Sequence, residues 1–288
     1  MEGRKVRLIT HTGCDMPLDE AEALHIRMIP DRVIFGENEY KNMTEITAEE
    51  FYGKMEKAKE LPTSSTPPVG DFVKAFQEAA EGADEVLCLM ITSKMSGCYS
   101  TAVAAAKLAE RQGLSVPVYV YDTQQCSHGM AQMVRAAVKM VQEGKNAEQI
   151  MKELSVLQSK MGVYFVLESL KNARKGGRVG AIKALAADAL GIKPLLLFAD
   201  GLVSDYGIAR GITDGIDRVA SQFSKEGDPK KTVTIFHAAA PERAEQMKDK
   251  ILRETPGAKI RIESVGPVIG IYTGSGCVGI AFTKRETS

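Results

Sequence analysis

Short, almost wholly apolar runs alternate along the first half of the chain with longer segments whose apolar residues recur at helical spacing. Residues 6–10 read as a strand, followed by the loop His11-Thr12-Gly13-Cys14-Asp15 and a helix opened by Pro17, a position that proline favours. Residues 26–30 predict a strand and residues 31–40 a hairpin turning at Gly36. Thr47 and Glu50 form a capping box in front of a helix that carries Phe51, Tyr52 and Met55. The stretch Leu61-Pro62-Thr63-Ser64-Ser65-Thr66-Pro67-Pro68-Val69-Gly70 cannot be helical and is read as extended or turned. Strands are predicted at 84–91 and 116–121, and helices at 71–80, 99–110, 127–142 and 147–157. Strands that are apolar throughout, alternating with helices, imply a parallel sheet covered on both faces. In such sheets ligands gather beyond the carboxyl ends of the strands. The loops after Thr10, Ile91 and Tyr121 fall there, and all carry hydroxyls.

The second half has a different rhythm. Residues 164–166 read as a short strand, and Lys171-Asn172-Ala173-Arg174-Lys175-Gly176-Gly177-Arg178 as a basic, glycine-broken turn. A helix is expected at 181–190. Strands at 193–198 and 202–209 are joined by an Asp-Gly hairpin turn at Asp200-Gly201. Helices at 212–223 and 241–252 and strands at 232–236 and 260–264 follow, and two last strands, 268–272 and 278–282, flank Thr273-Gly274-Ser275-Gly276-Cys277. Hairpins imply a mixed sheet and a second domain. The expected division is an N-terminal domain, 1–160, and a C-terminal domain, 161–288.

Composition narrows the function classes. The chain has 288 residues, with Lys+Arg and Asp+Glu both 37, so no net field draws it to nucleic acid or acidic lipid. No apolar run approaches the roughly 20 residues that span a bilayer, and the N-terminus has no signal core, which leads to the expectation of a cytoplasmic protein. The five cysteines have no zinc or CxxC spacing and are expected to be free thiols. Cys88 reads as core, while Cys14, Cys98, Cys126 and Cys277 sit in loops or helix starts where a thiolate can be favoured. The four histidines form no metal-ligand pattern.

Candidate chemistry reduces to hydroxyl- and glycine-rich loops: Thr12-Gly13, Thr63 to Thr66, Ser93 to Gly97, Thr123, and Thr273 to Gly276. No dinucleotide, P-loop, metalloprotease or nucleophile-elbow motif is present. Hydroxyls donate to an anion without adding charge and need no base beside them, so the loops suit binding better than bond-breaking. ITSKMSGCYSTA, residues 91–102, reads equally as a capped helix start or as an anion-holding turn. Arg174 to Arg178 reads equally as a phosphate or partner contact or as a solvated loop.

The order of these pieces resembles the DegV family, bacterial fatty-acid-binding proteins, along essentially the whole chain. The matching segments are Ile9-Thr10-His11-Thr12-Gly13-Cys14-Asp15-Met16-Pro17, Thr63-Ser64-Ser65-Thr66-Pro67-Pro68, Ser96-Gly97-Cys98-Tyr99, Tyr121-Asp122-Thr123, Lys175-Gly176-Gly177-Arg178, Gly191-Ile192-Lys193-Pro194, Ala209-Arg210-Gly211 and 266–276. The resemblance implies an α/β fold of two domains, an N-terminal three-layer α/β/α domain on a parallel sheet and a C-terminal two-layer α/β domain on a mixed sheet. One long-chain fatty acid would lie between them. Its carboxylate would be held by Ser64, Ser65, Ser96, the Gly97 N–H, Tyr272 and Thr273, with His11, Thr12, Cys98 and Asp122 as neighbours. No catalytic residue, metal or cofactor is implied. An ATP-dependent fatty acid kinase would receive the acid for conversion to acyl-phosphate, docking at Arg210 and more weakly at Arg178. Contact with a membrane would be transient, and nucleic acid is not a partner.

Four residues depart from the family pattern, one of them Ser275, which stands where the last loop of the family has Pro. His11 stands where the family has Asp, Tyr272 where it has His, and Cys98 where it has Thr. An exchange of roles is expected, with His11 now the switchable donor near the head group and Tyr272 a neutral one. The departures keep open a second reading, a binder or enzyme for another anionic small molecule that uses the same Ser/Thr/Cys-lined cleft, with Cys14, Cys98 and Cys277 supplying thiol chemistry.

Overall fold

The computed structural model describes residues 5–178 and 191–286. Strands β1 (Val6–His11), β2 (Arg27–Ile29), β6 (Glu85–Met90) and β7 (Val118–Asp122) form a parallel sheet in the order β2-β1-β6-β7. All six residues of β6 are buried, which is why its sequence is continuous rather than alternating. Helix α3 (Val69–Ala80) packs on α4 (Cys98–Arg111), and α5 (Ser127–Gln142) on α6 (Ala147–Ser159). Both pairs close one apolar core with the sheet. A short α1 (Leu18–Ala23) links β1 to β2.

The second sheet is mixed. Its order is β10 (Leu202–Arg210), β9 (Ile192–Ala199), β8 (Met161–Val166), β13 (Val278–Thr283), β11 (Val233–His237), β12 (Ile260–Ser264), antiparallel except between β11 and β12. The β9–β10 turn forms as its sequence demands, with Asp200 at φ 52° and Gly201 at φ 76°, both left-handed. Strand β8 shows how one buried strand serves two cores. Tyr164 and Val166 face α8 (Ile212–Glu226) and α9 (Pro241–Glu254), whereas Val163 and Phe165 face the opposite way. Leu195 and Leu196 divide in the same manner on β9.

A third, small sheet pairs the hairpin and the extended segment read from the sequence. Residues of the Thr63–Ser65 segment form β5, which pairs antiparallel with β3 (Arg32–Phe35), itself paired with β4 (Asn38–Lys41). The capping box of α2 (Ala48–Lys57) is present, with Glu50 N–H on Thr47 Oγ1 at 3.2 Å and Thr47 N–H on Glu50 Oε2 at 2.9 Å.

One predicted strand is a helix. Residues Pro267–Thr273 form α10, started by Pro267 behind Gly266. A short apolar run does not declare its period, and here packing decides it. Gly270 brings α10 so close to α2 that a Cβ would stand 2.5 Å from the Tyr52 hydroxyl and 2.9 Å from the Phe51 ring. Residues Lys171–Lys175, expected as a turn, form a single helical turn, α7, before Gly176 and Gly177. The helix expected at 181–190 lies outside the described residues.

Candidate functional site: a cavity between the sheets

A cavity opens between the two sheets. The mixed sheet supplies its apolar wall, from Val163, Phe165, Leu196, Phe198, Val203 and Phe236. They stand on the adjacent strands β8, β9 and β10 and, across β13, on β11, so one sheet face presents them together. The polar wall comes from elsewhere: Ser64, Ser65 and Thr66 of β5 and its exit, Ser96, Gly97 and Cys98 at the start of α4, and His11 and Asp31 at the ends of β1 and β2.

At the α4 start, Ser96 Oγ accepts the Cys98 N–H at 3.2 Å, so its own hydroxyl proton is free to be donated into the cavity. The Gly97 N–H stands ahead of the first turn of α4, where helix geometry provides no acceptor. Both readings of this segment therefore hold at once: a capped helix start and a pair of donors lining a cavity. Ser64 Oγ lies 2.8 Å from the Tyr272 hydroxyl, across the gap between β5 and α10. Arg178 is stacked over the Tyr272 ring at 5.1 Å and also lines the cavity.

His11, Asp31 and Cys98 meet in the polar wall, all three buried. His11 Nε2 lies 3.3 Å from the Ile91 N–H, and Nδ1 lies 2.8 Å from Asp31 Oδ2 and, more loosely, 3.4 Å from the Gly13 N–H; the short carboxylate contact assigns the ring proton to Nδ1, which donates to Oδ2. The Thr12 hydroxyl donates to the same oxygen at 2.9 Å, and Cys98 Sγ approaches Oδ1 at 3.4 Å. Burial works against the Asp31 charge, but His11, Thr12 and Cys98 outweigh it and hold the carboxyl below its ordinary value. The ligand-type atoms of the three side chains lie within 4.8 Å of one another, the spacing of a metal triad. Both imidazole nitrogens are engaged within the protein, however, so the cluster is closed by hydrogen bonds.

Deeper along α5, Ser127 donates to Asp15 Oδ2 at 2.6 Å, while Asp15 Oδ1 has no aligned hydrogen-bond partner among the described residues. Burial raises the Asp15 carboxyl to about 6, against the opposing pull of His128 and Ser127. His128 joins α5 to β12 of the mixed sheet. Its Nε2 is 3.0 Å from the Ser264 carbonyl, and its Nδ1 is 2.9 Å from Glu263 Oε2, a close contact without hydrogen-bond alignment. Arg135 donates to Glu20 and Glu263, each at 2.6 Å, and ties α5 to α1 and β12.

Of the residues singled out in the sequence, Ser64, Ser65, Ser96, Gly97, Cys98, His11, Tyr272, Thr273 and Arg178 all line the cavity. Thr12 does not, and acts behind the wall through Asp31. Asp122 is also outside the lining. Its oxygens accept the Ser93 and Gln124 N–H groups, which fixes the loops after β6 and β7. Arg210 ends β10 away from the cavity, its N–H on Asp214 Oδ2 at 2.8 Å. The thiols are not activated. Burial raises Cys14 and Cys126 to about 12 and pushes Cys98 and Cys277 higher still, so the helix starts and loops that suggested thiolates hold protonated thiols. Sequence reasoning missed Asp31, His128 and the Arg135–Glu263 pair. Asp31 follows Pro30 at a strand end without any motif, and His128 sits among helix residues, so neither carries a local signal.

The fold and the cavity together define an α/β protein of two domains, one on a parallel and one on a mixed sheet, with an apolar inter-sheet cavity walled on one side by hydroxyl, amide and carboxyl groups. The family model for DegV (uncharacterised protein, DegV family COG1307) matches residues 5–285, and the chain belongs to that family. A DegV domain-containing protein of Halalkalibacterium halodurans is 30% identical over 281 residues, covering 96% of this chain and 98% of that one. Among solved structures, a DegV family protein from Thermus thermophilus described by its fatty acid binding superposes with a TM-score of 0.87 at 29% identity, covering 97% of this chain and 99% of that one. DegV of Bacillus subtilis, described as a fatty acid binding protein, superposes with a TM-score of 0.86 at 26% identity, covering 98% and 100%.

Proposed function

We propose that this protein is a non-catalytic carrier that holds one long-chain fatty acid in the inter-sheet cavity and presents its carboxyl group to an ATP-dependent kinase, which converts it to acyl-phosphate. The observation that carries the reading is the cavity's division into a wholly apolar sheet face and a facing set of unspent neutral donors, Ser96 Oγ and the Gly97 N–H above all. Burying each methylene contributes about 0.8 kcal/mol, so a chain of roughly 14–18 carbons supplies on the order of 10 kcal/mol. The head group then needs only a few hydrogen bonds. Relatives described as fatty-acid-binding proteins support the same ligand class. The raised thiols speak against the rival reading of thiol chemistry in this cleft.

In this reading Ser64, Ser65, Ser96, Gly97, Tyr272 and Thr273 hold the carboxyl group, and Arg210 with Arg178 faces the kinase. The carrier works in the cytoplasm, uses no cofactor and touches membranes only transiently. Native mass spectrometry of protein purified from cells tests it. A bound mass matching a 14–18-carbon acid is expected, and acyl-phosphate should form only with kinase and ATP both present. A clean unliganded mass that ignores added oleate, or turnover by this chain alone, overturns the reading.

A further inference from the structure

We infer that Asp31 is a specificity-determining residue for the head group: the bound acid and the Asp31 carboxyl share a single proton, so the lipid enters together with one proton taken from solvent. The inference rests on the fatty-acid reading above and adds the charge state of the ligand to it.

Asp31 is 3% exposed, yet it lines the cavity beside the start of α4. Its Oδ2 is occupied by two good donors, His11 Nδ1 and the Thr12 hydroxyl. Among the described residues its Oδ1 receives a thiol at 3.4 Å, a weak donor that leaves lone-pair capacity at a residue lining the cavity. The Ile91 N–H occupies His11 Nε2, so the imidazole meets Asp31 through Nδ1 alone. The other ionisable groups of the surroundings are Cys98 on α4, Cys126 and His128 on α5, Asp15 in the loop after β1, and Arg178 at the cavity wall. Cys98 and Cys126 are neutral thiols and Asp15 adds further negative charge when ionised. His128 lies against Glu263, and Arg178 rests on Tyr272. Arg32, the next residue in the chain, spends its guanidinium on Glu39 and Asp71.

A carboxylate brought to this wall therefore meets a buried negative charge that is already in place. Two carboxylates in one water-poor site do not both ionise, and the stable form is a carboxylic acid donating to a carboxylate. The balance is one lipid carboxylate plus one proton from solvent plus the protein, giving a complex whose two carboxyl groups carry a single negative charge. Neutral-headed chains of the same length need no proton.

Isothermal titration with oleate in two buffers of different ionisation enthalpy reads the proton directly. Uptake of about one proton per lipid is expected, with affinity weakening up to roughly tenfold per pH unit between pH 7 and 9. Oleyl alcohol should bind without proton uptake and displace oleate more readily as pH rises. Asp31→Asn should flatten the pH dependence and remove the uptake, with a thermal melt checking that the variant is folded. Wild-type oleate binding that takes up no proton and ignores pH overturns the inference and leaves the carrier reading standing. Failure of both oleate and oleyl alcohol to bind at any pH overturns the carrier reading, and this inference with it.

Discussion

The two walls of the cavity are built in different ways. The polar wall is assembled from the exits of β1, β2 and β6, the edge strand β5 and the start of α4, with each element contributing one to three residues. The apolar wall is built mainly on one face of one sheet, where Val163 and Phe165 of β8 stand beside Leu196 and Phe198 of β9, with Val268 and Ile269 of α10 added to it. A sheet face is stiff and continuous, so each residue's position is set by its neighbours' pairing. A loop-built wall depends on a few hydrogen bonds, such as Ser96 to Cys98 and Ser64 to Tyr272. Substitutions in the apolar wall should therefore act on stability and affinity together, whereas those in the polar wall should act on affinity alone.

The largest effect is expected at Phe165, which lies against Phe236 at 6.4 Å between ring centroids and faces the cavity. Phe165→Ala should lower unfolding free energy by about 3 kcal/mol in urea titrations and weaken lipid binding in parallel. A loss of affinity with no loss of stability would break the comparison, because the sheet face would then be a lining and not part of the core.

The residues that join the walls come next. Burial raises Glu263, but His128 and Arg135 outweigh it and bring the carboxyl down to about 2. An acid depressed in the fold adds stability that is present above its unfolded value of about 4.3 and is lost as pH falls through about 2. Glu263→Gln should cost on the order of 2 kcal/mol at pH 7, with the gap to wild type closing as pH drops from 5 towards 2. Asp15 runs the other way. Its carboxyl is raised to about 6, so its ionisation opposes the fold, and its part of the pH profile is lost stability as pH rises from about 4 to 6. Thermal melts across pH 2–7 separate the two. A constant gap between Glu263→Gln and wild type would show that the His128–Glu263 contact carries no net energy.

The same contrast decides what could be read from sequence. The polar wall announced itself because its donors sit in short local motifs: Thr63-Ser64-Ser65-Thr66 after a proline, and Ser96-Gly97 before an alanine-rich helix. The parallel sheet was legible for a similar reason, since β6 is apolar throughout and its helices are strongly periodic. The apolar wall was not, because Phe165, Leu196 and Phe236 belong to three strands and are adjacent only after pairing. Asp31 and His128 gave no signal, as their meaning comes from partners 20 and 135 residues away in sequence, His11 and Glu263. Pro267–Thr273 was misread because its apolar run fits either period, and only the close seat of Gly270 on Tyr52 settles it.

The smallest effect belongs to the polar wall itself and tests the comparison from the other side. Tyr272→Phe removes a hydroxyl that pairs with Ser64 Oγ at 2.8 Å, but keeps the ring beneath Arg178. Ser64 then loses one partner and regains a free donor or acceptor facing the cavity, so part of the loss is offset. Ser96→Ala has no such offset, because the hydroxyl it removes is free to be donated to the ligand, although the Cys98 N–H also loses its acceptor. A neutral hydrogen bond contributes about 0.5–1.5 kcal/mol net. Ser96→Ala should therefore weaken lipid binding up to about tenfold and Tyr272→Phe about threefold or less, with unfolding midpoints close to wild type in both. If Tyr272→Phe proved as damaging as Ser96→Ala, the Tyr272 hydroxyl would be a direct ligand contact and not a support for Ser64. If either variant lost as much stability as Phe165→Ala, the polar wall would be holding the two sheets together, and the division of labour between the walls would fail.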